Sequence, residues 1–415
     1  MKVVISTFGS SGDFNPCLGL GRSLRQKGVD VLFLSNPFYE NKITGAGLRF
    51  IPAGEYFDVF EEIRGNPDYL HPRKGPLAVW KMVLNTVPVM YRAMNELIAN
   101  ESPDMIACHL LEYGGMIAAM NADVPCTTLS PTPMGWCYKP SPAYVNYLRL
   151  PRWIRSLQAG AARRIFNTAF KYSLKPHCNK LNIPGCPDSL MTVYEKARLN
   201  LGLWSKSFRD ETANDPPHSR ICGFVRDEHI RDWPDVPEQI IRLFNNPKRP
   251  VVVGLGSTAS LHGMIIYRNT AQACRTLNRP CLLVGRGLSS LADPQNNILV
   301  VNFAPYGWVF PRAGLVIHHG GVNTTAETLR AGVPALVIPH GYDQFDNAMR
   351  TQQMGVSIRL RMRQILSINF ISTVQYILNN PQMQNRARAF SERLRAEPDG
   401  GVVAAAEIIT AIGQA

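Results

Sequence analysis

An apolar run ends in paired histidines and glycines, Val316-Ile317-His318-His319-Gly320-Gly321, and passes into Val322-Asn323-Thr324-Thr325-Ala326-Glu327, where small hydroxyl residues open a helix. This pattern suits an anion: free backbone N–H groups and the positive end of the helix point at the ligand, and glycines such as Gly321 let the backbone approach it. Asn323, Thr324 and Thr325 add side-chain donors, and His319 adds a hydrogen bond or a full charge toward a diphosphate. The alternative is an ordinary N-cap at Asn323 or Thr324. Glu327, three positions past Thr324, either closes a capping box or accepts hydrogen bonds from vicinal hydroxyls such as a ribose diol. After a further strand, Ala335–Pro339, come Asp343 and Gln344, an acceptor and a donor suited to sugar hydroxyls. By itself such a pair also reads as a helix N-terminus with an Asp cap.

Near the other end, Thr7-Phe8-Gly9-Ser10-Ser11-Gly12-Asp13-Phe14-Asn15-Pro16 joins a first strand to a first helix. The glycines permit a tight turn with exposed N–H groups, Asp13 sits at the helix mouth, and Pro16 falls in the first turn. Taken alone, Asp13 reads as the helix N-cap. Gly254-Leu255-Gly256-Ser257-Thr258 does not complete G-x-G-x-x-G and has no acidic residue about 20 positions on, so a nicotinamide dehydrogenase is poorly supported.

The elements around these residues repeat one scheme. Lys2–Thr7, Val29–Ser35, Arg49–Pro52, Met105–His109 and Pro125–Leu129 read as strands, with a helix over Pro16–Lys27. Polar, proline-rich Thr212–Arg220 reads as a linker, after which Pro250–Leu255, Cys281–Val284, Ile298–Val301, Leu315–His318 and Ala335–Pro339 restart the pattern. Short strands alternating with helices predict an α/β protein with two parallel, doubly wound sheets and a ligand cleft between them at the strands' carboxyl ends. The expected division is 1–211, a linker over 212–220, 221–385, and a helical tail over 386–415 packing back toward the N-terminal domain.

A length of 415 residues suits two such domains, and 45% hydrophobic against 18% charged residues excludes disorder as the main state. Nine cysteines are scattered without a C-x-x-C, no apolar run reaches membrane-spanning length, and the start lacks a signal-peptide pattern; the expectation is a reduced, cytoplasmic protein. The net charge of +13 is concentrated: Val124–Pro187 holds nine Lys or Arg, no Asp or Glu, and many aromatics. Such a span serves an anionic membrane surface, a nucleic-acid groove, or simply a solvated basic face.

Taken together, the sequence resembles a GT-B-fold glycosyltransferase of glycosyltransferase family 1, in the bacterial branch near the rhamnolipid rhamnosyltransferases, sterol 3-β-glucosyltransferases and antibiotic-aglycone glycosyltransferases. Phe8–Pro16 resembles that branch's G-S-x-G-D-x-x-P opening. His318-His319-Gly320-Gly321, Ala331-Gly332-Val333-Pro334 and Asp343-Gln344-Phe345-Asp346-Asn347-Ala348 resemble its nucleotide-sugar signature in order and spacing. The family's Gly-Thr is replaced here by Asn323-Thr324, a variation seen in plant members.

The resemblance implies a fold of two Rossmann-like domains facing across a cleft. It implies Asp13 as catalytic base, with Gly12 beside it; His319, Gly321, Asn323, Thr324 and Thr325 as diphosphate contacts; and Glu327 as ribose ligand. Asp343 and Gln344 match donor-sugar contacts, Phe303 and Ala304 the segment on the pyrimidine base, and Ser257 and Thr258 a second phosphate loop. The implied reaction is inverting transfer of a hexosyl group from a UDP- or dTDP-sugar to a lipophilic hydroxyl acceptor. No metal or other cofactor is expected, because no D-x-D ends a strand. Peripheral contact with an anionic inner-membrane face is the expected use of the basic span, and nucleic acid is not expected. The rival readings are a nucleotide-sugar 2-epimerase on the same fold and a non-catalytic sugar-nucleotide-binding protein.

Overall fold

The alternation of short apolar runs with helices produces two all-parallel sheets in this computed structural model, which describes residues 1–71, 74–136, 164, 167–168, 170–226, 233, 235–256, 263–366 and 369–414. The first contains β1 (Lys2–Ser6), β2 (Asp30–Ser35), β3 (Arg49–Pro52), β4 (Met105–His109), β5 (Cys126–Ser130), β6 (Leu199–Gly202) and β7 (Ser219–Ile221), in the order β3-β2-β1-β4-β5-β6-β7. The second contains β8 (Val251–Gly254), β9 (Cys281–Val284), β10 (Ile298–Val301), β11 (Leu315–His318), β12 (Ala335–Val337) and β13 (Ser357–Arg359), in the order β10-β9-β8-β11-β12-β13. Each order reverses direction once, between β1 and β4 in one sheet and between β8 and β11 in the other. Loops leaving the carboxyl ends of strands at such a reversal form the ligand crevice of a doubly wound sheet.

Sequence periodicity missed three of these strands. Leu199-Asn200-Leu201-Gly202 looks too polar for a core strand, yet Asn200 is buried and satisfied: Thr128 Oγ1 donates to its Oδ1 at 2.6 Å, and its Nδ2 donates to the Tyr194 and Pro217 carbonyls at 2.9 and 2.7 Å. A buried amide paired this way avoids the cost of desolvation. β7 overlaps the end of the stretch expected as a linker, whose Asp215 is held in an ion pair by Arg209. β13 adds a sixth strand beside β12.

The protein forms two units. One comprises Met1–Val59, Pro76–Arg226 and Pro398–Ala415, the other Phe60–Gly75 and Asp227–Glu397. Both divide along lines that local pattern does not reveal, since Phe60–Gly75 from the N-terminal half belongs to the second unit and the last helix, Gly400–Gly413, to the first. Ala404, Ala405 and Ile408 of that helix share a core with Phe14, Leu20 and Leu24 of helix Ser11–Gln26. In the second unit the two-residue period of β8 sends Val251 and Val253 into one layer, with Ile266 and Phe370, and Val252 into the other, with Ile240 and Phe310.

Of the basic span, residues 137–163, 165, 166 and 169 lie outside the described residues, as do Ser257 and Thr258. No helix among the described residues is long and apolar enough to cross a membrane.

Candidate active site

In the first unit, the loop after β1 enters helix Ser11–Gln26 earlier than the sequence suggests. Ser10, not Asp13, is the N-cap, and Pro16 lies inside the helix. Asp13 occupies the third helical position and completes a capping box, its Oδ2 accepting Ser10 N–H at 3.0 Å and Ser10 Oγ–H at 3.1 Å. Gly12 precedes it in the first turn. Gly9 is obligatory for this geometry: its φ of +108° suits glycine alone, and a Cβ there would come within 2.5 Å of Asp13 Oδ2. The Asp13 side chain keeps 34% of its surface exposed, so the carboxylate is anchored at one oxygen and accessible to a substrate.

Beside it, at the carboxyl end of the adjacent strand β4, lies a group that motif reading passed over. His109 is buried, with Nε2 3.5 Å from Asp13 Oδ1. The turn that follows is fixed by Glu112, which accepts Ser6 Oγ–H at 2.7 Å and Gly115 N–H at 2.8 Å. Burial pushes the Glu112 carboxyl above its ordinary range. A histidine ending an apolar strand next to the reversal point was the available signal.

In the second unit, β11 ends at His318, whose Nδ1 accepts Gly320 N–H at 3.1 Å and so braces the turn. Helix Val322–Ala331 follows with Gly321 as its N-cap. Neither Asn323 nor Thr324 is the cap, and Glu327 closes no capping box. Gly321 offers no side chain to the first-turn N–H groups, which leaves that end without a side-chain cap. Its missing Cβ also admits His319, since a Cβ would fall 2.4 Å from His319 Nε2. His319 Nδ1 and the buried Thr325 hydroxyl have no hydrogen-bond partner among the described residues. Thr324 is buried as well, and Asn323 half-buried.

His319 differs electrostatically from the expectation. Burial, with His318 and His340 nearby, holds its pKa well below the ordinary value, and burial alone lowers His318 to about 3. His319 is therefore a neutral donor, not a full charge. The same shift makes stability depend on pH. Between about pH 6.5 and 3 an unfolded His318 binds a proton that the folded one refuses, so stability rises with pH across that window and is lost on acidification. The slope is about 1.4 kcal/mol per pH unit for each such histidine. Thermal unfolding between pH 7 and 5 should show it, and His318→Asn, which keeps an acceptor for Gly320, should reduce the slope by one histidine's share. An unchanged slope would contradict the assignment.

Glu327 pairs with Arg330 one turn on. Gln344 is buried and its Oε1 accepts the N–H groups of His340 at 2.9 Å and Gly341 at 3.2 Å, so its contribution to a ligand is the amide NH2. Asp343 Oδ2 accepts from Asn347 Nδ2 at 2.8 Å, and the same amide donates to the Gly320 carbonyl at 2.9 Å, joining the loops after β11 and β12. Tyr342, between Gly341 and Asp343, has φ +55° and donates its hydroxyl to the Tyr69 carbonyl, a contact with the Phe60–Gly75 segment of the same unit. Phe303 follows β10 with 68% of its surface exposed, and Ala304 is buried beside it. The second unit thus places His319, Thr324, Thr325, Asp343 and Gln344 in the loops and helix starts that follow β11 and β12, with Glu327 further along helix Val322–Ala331.

Comparison with known proteins supports one assignment. Residues 283–410 match the family described as Erythromycin biosynthesis protein CIII-like, C-terminal domain. The chain is 23% identical to a sterol 3-beta-glucosyltransferase of Debaryomyces hansenii over 97% of its own length, though it spans only 26% of that relative. It is 25% identical to O-mycaminosyltylonolide 6-deoxyallosyltransferase of Streptomyces fradiae, with 96% of this chain and 94% of the relative covered. Among solved structures, the glycotransferase of kitacinnamycin superposes with a TM-score of 0.74 over 99% of both chains at 20% identity. VinC in complex with dTDP superposes with a TM-score of 0.70 over 100% of both chains at 16% identity. The chain thus has the GT-B fold of these glycosyltransferase structures, with a match to the erythromycin CIII-like domain in its C-terminal part.

Proposed function

We propose that the protein transfers a hexosyl group from a UDP- or dTDP-sugar to a hydroxyl of a lipophilic acceptor, with inversion and without a metal ion. The observation that carries this reading is the uncapped start of helix Val322–Ala331 with neutral His319 against it, an arrangement suited to a diphosphate leaving group. Asp13 accepts the acceptor's hydroxyl proton as that oxygen attacks the anomeric carbon. The diphosphate departs from the opposite face of the sugar, its charge met by N–H groups, His319 and the threonine hydroxyls. Glu327 takes the ribose, Phe303 and Ala304 the base, Asp343 and Gln344 the sugar, and Ser257 and Thr258 further phosphate contacts. The dTDP in the VinC complex and the sterol in the name of the Debaryomyces relative support the donor and acceptor classes. The acid-free basic span supports delivery of the acceptor from an anionic membrane surface.

A thermal-shift screen of UDP- and dTDP-sugars tests the donor, because a ligand at 100 times its Kd adds about 2.7 kcal/mol. The best donor should then glycosylate a sterol or macrolide aglycone in preference to small polar alcohols, and anionic vesicles should bind the protein at low salt and release it at high salt. Epimerisation of the donor without any acceptor, or donor binding with no turnover on any acceptor, would overturn the transferase reading.

A further inference from the structure

His109 has a proton with nowhere else to go. The N–H of Leu111 donates to its Nδ1 at 3.3 Å, which places the ring proton on Nε2. That nitrogen is buried without a hydrogen-bond partner among the described residues, and 3.5 Å from it lies Asp13 Oδ1. Leaving a buried donor unmet is costly, and 3.5 Å is longer than a good N–H···O bond. The ring is the fixed partner of the two. Its strand is paired through β5, with Leu110 N–H on the Leu129 carbonyl at 3.0 Å, and Glu112 N–H closes the turn onto the His109 carbonyl at 2.8 Å. The partly exposed Asp13 carboxylate is the group with room to adjust. Catalytic hydrogen bonds commonly reach their shortest length only in the complex with substrate.

We propose that His109 is a positioning residue for Asp13, its Nε2–H holding Oδ1 while Ser10 holds Oδ2, so that the carboxylate is fixed for proton abstraction; the proposal rests on Asp13 being the base. In the reaction the acceptor O–H proton passes to the Asp13 carboxylate, the acceptor oxygen bonds to the anomeric carbon, and the bond from that carbon to the diphosphate breaks. His109 keeps its proton throughout, because its Nδ1 lone pair is taken by Leu111 N–H. It orients and does not relay.

The test uses the full-length protein. His109→Phe fills the ring's volume without the donor, and His109→Gln restores an N–H. With UDP-glucose or dTDP-glucose as donor and a sterol as acceptor, the Phe variant should lose about 10- to 100-fold in kcat, the effect of one hydrogen bond to a charged group, with donor KM unchanged. The Gln variant should recover part of the loss, and adding His109→Phe to Asp13→Asn should lower kcat no further. Independently of turnover, nitrogen-15 NMR of labelled histidine should show His109 protonated at Nε2, with that proton's resonance shifting in Asp13→Ala. A normal kcat in His109→Phe beside an inactive Asp13→Asn would overturn the positioning role and leave the base intact. Full activity in Asp13→Asn would instead remove the base, and the proposal with it. An Nε2 without a proton, or a resonance indifferent to Asp13→Ala, would overturn the contact in the wild-type protein.

Discussion

Asp13→Asn is expected to reduce kcat by about 10²–10⁴-fold, the usual worth of a general base, while donor binding and folding survive. The substitution separates the proposed base from the capping role that Asp13 has in the helix. An Asn oxygen still accepts Ser10 N–H, so the capping arrangement of helix Ser11–Gln26 is largely kept and stability should change by under about 1 kcal/mol. What disappears is the capacity to take a proton from an acceptor hydroxyl. If Asp13 served only the helix, the opposite pattern would follow: Asp13→Asn would turn over normally at saturating acceptor, and Asp13→Ala would show only a lowered Tm. Steady-state kinetics and thermal unfolding on both variants decide the matter.

The second large effect is expected at the proposed nucleotide site. His319→Ala removes a buried donor packed against Gly321, and Glu327→Gln removes a carboxylate charge while preserving shape beside Arg330. Each should weaken free UDP or dTDP by about 10- to 100-fold, because a hydrogen bond involving a charged group is worth roughly 1.5–3 kcal/mol. His319→Ala leaves the His318 brace in place, so the turn should persist. Isothermal titration calorimetry with the nucleotide diphosphate measures both, and unchanged affinity in the two variants would refute the assignment of this pocket. Placing neutral His319 next to a diphosphate also predicts that its pKa rises on binding, since the ligand's negative charge opposes the depression caused by burial.

Much of this protein was legible in its sequence because the information is local. A strand that ends in His318-His319-Gly320-Gly321 and then becomes a helix declares an N-terminus by composition and period alone, and the same holds for the glycine-rich turn before Asp13. The alternation of such units was enough to specify parallel, doubly wound sheets. Cap positions were less accessible, since Ser10 and Gly321 became caps through backbone geometry that several neighbouring residues could have satisfied. Only tertiary structure decided the rest. Pairing of β1 with β4 brings His109 to Asp13, and no spacing rule links residues so far apart along the backbone. Burial sets the charge state of His319, and burial is a property of everything packed around it. The amide oxygen of Gln344 is committed to the loop before it by a turn that its sequence does not announce. Phe60–Gly75 and Gly400–Gly413 each join a unit distant in sequence. For Gly400–Gly413 the reason is that an apolar face is buried against whatever surface complements it, and the periodicity of a segment specifies the face without specifying the partner.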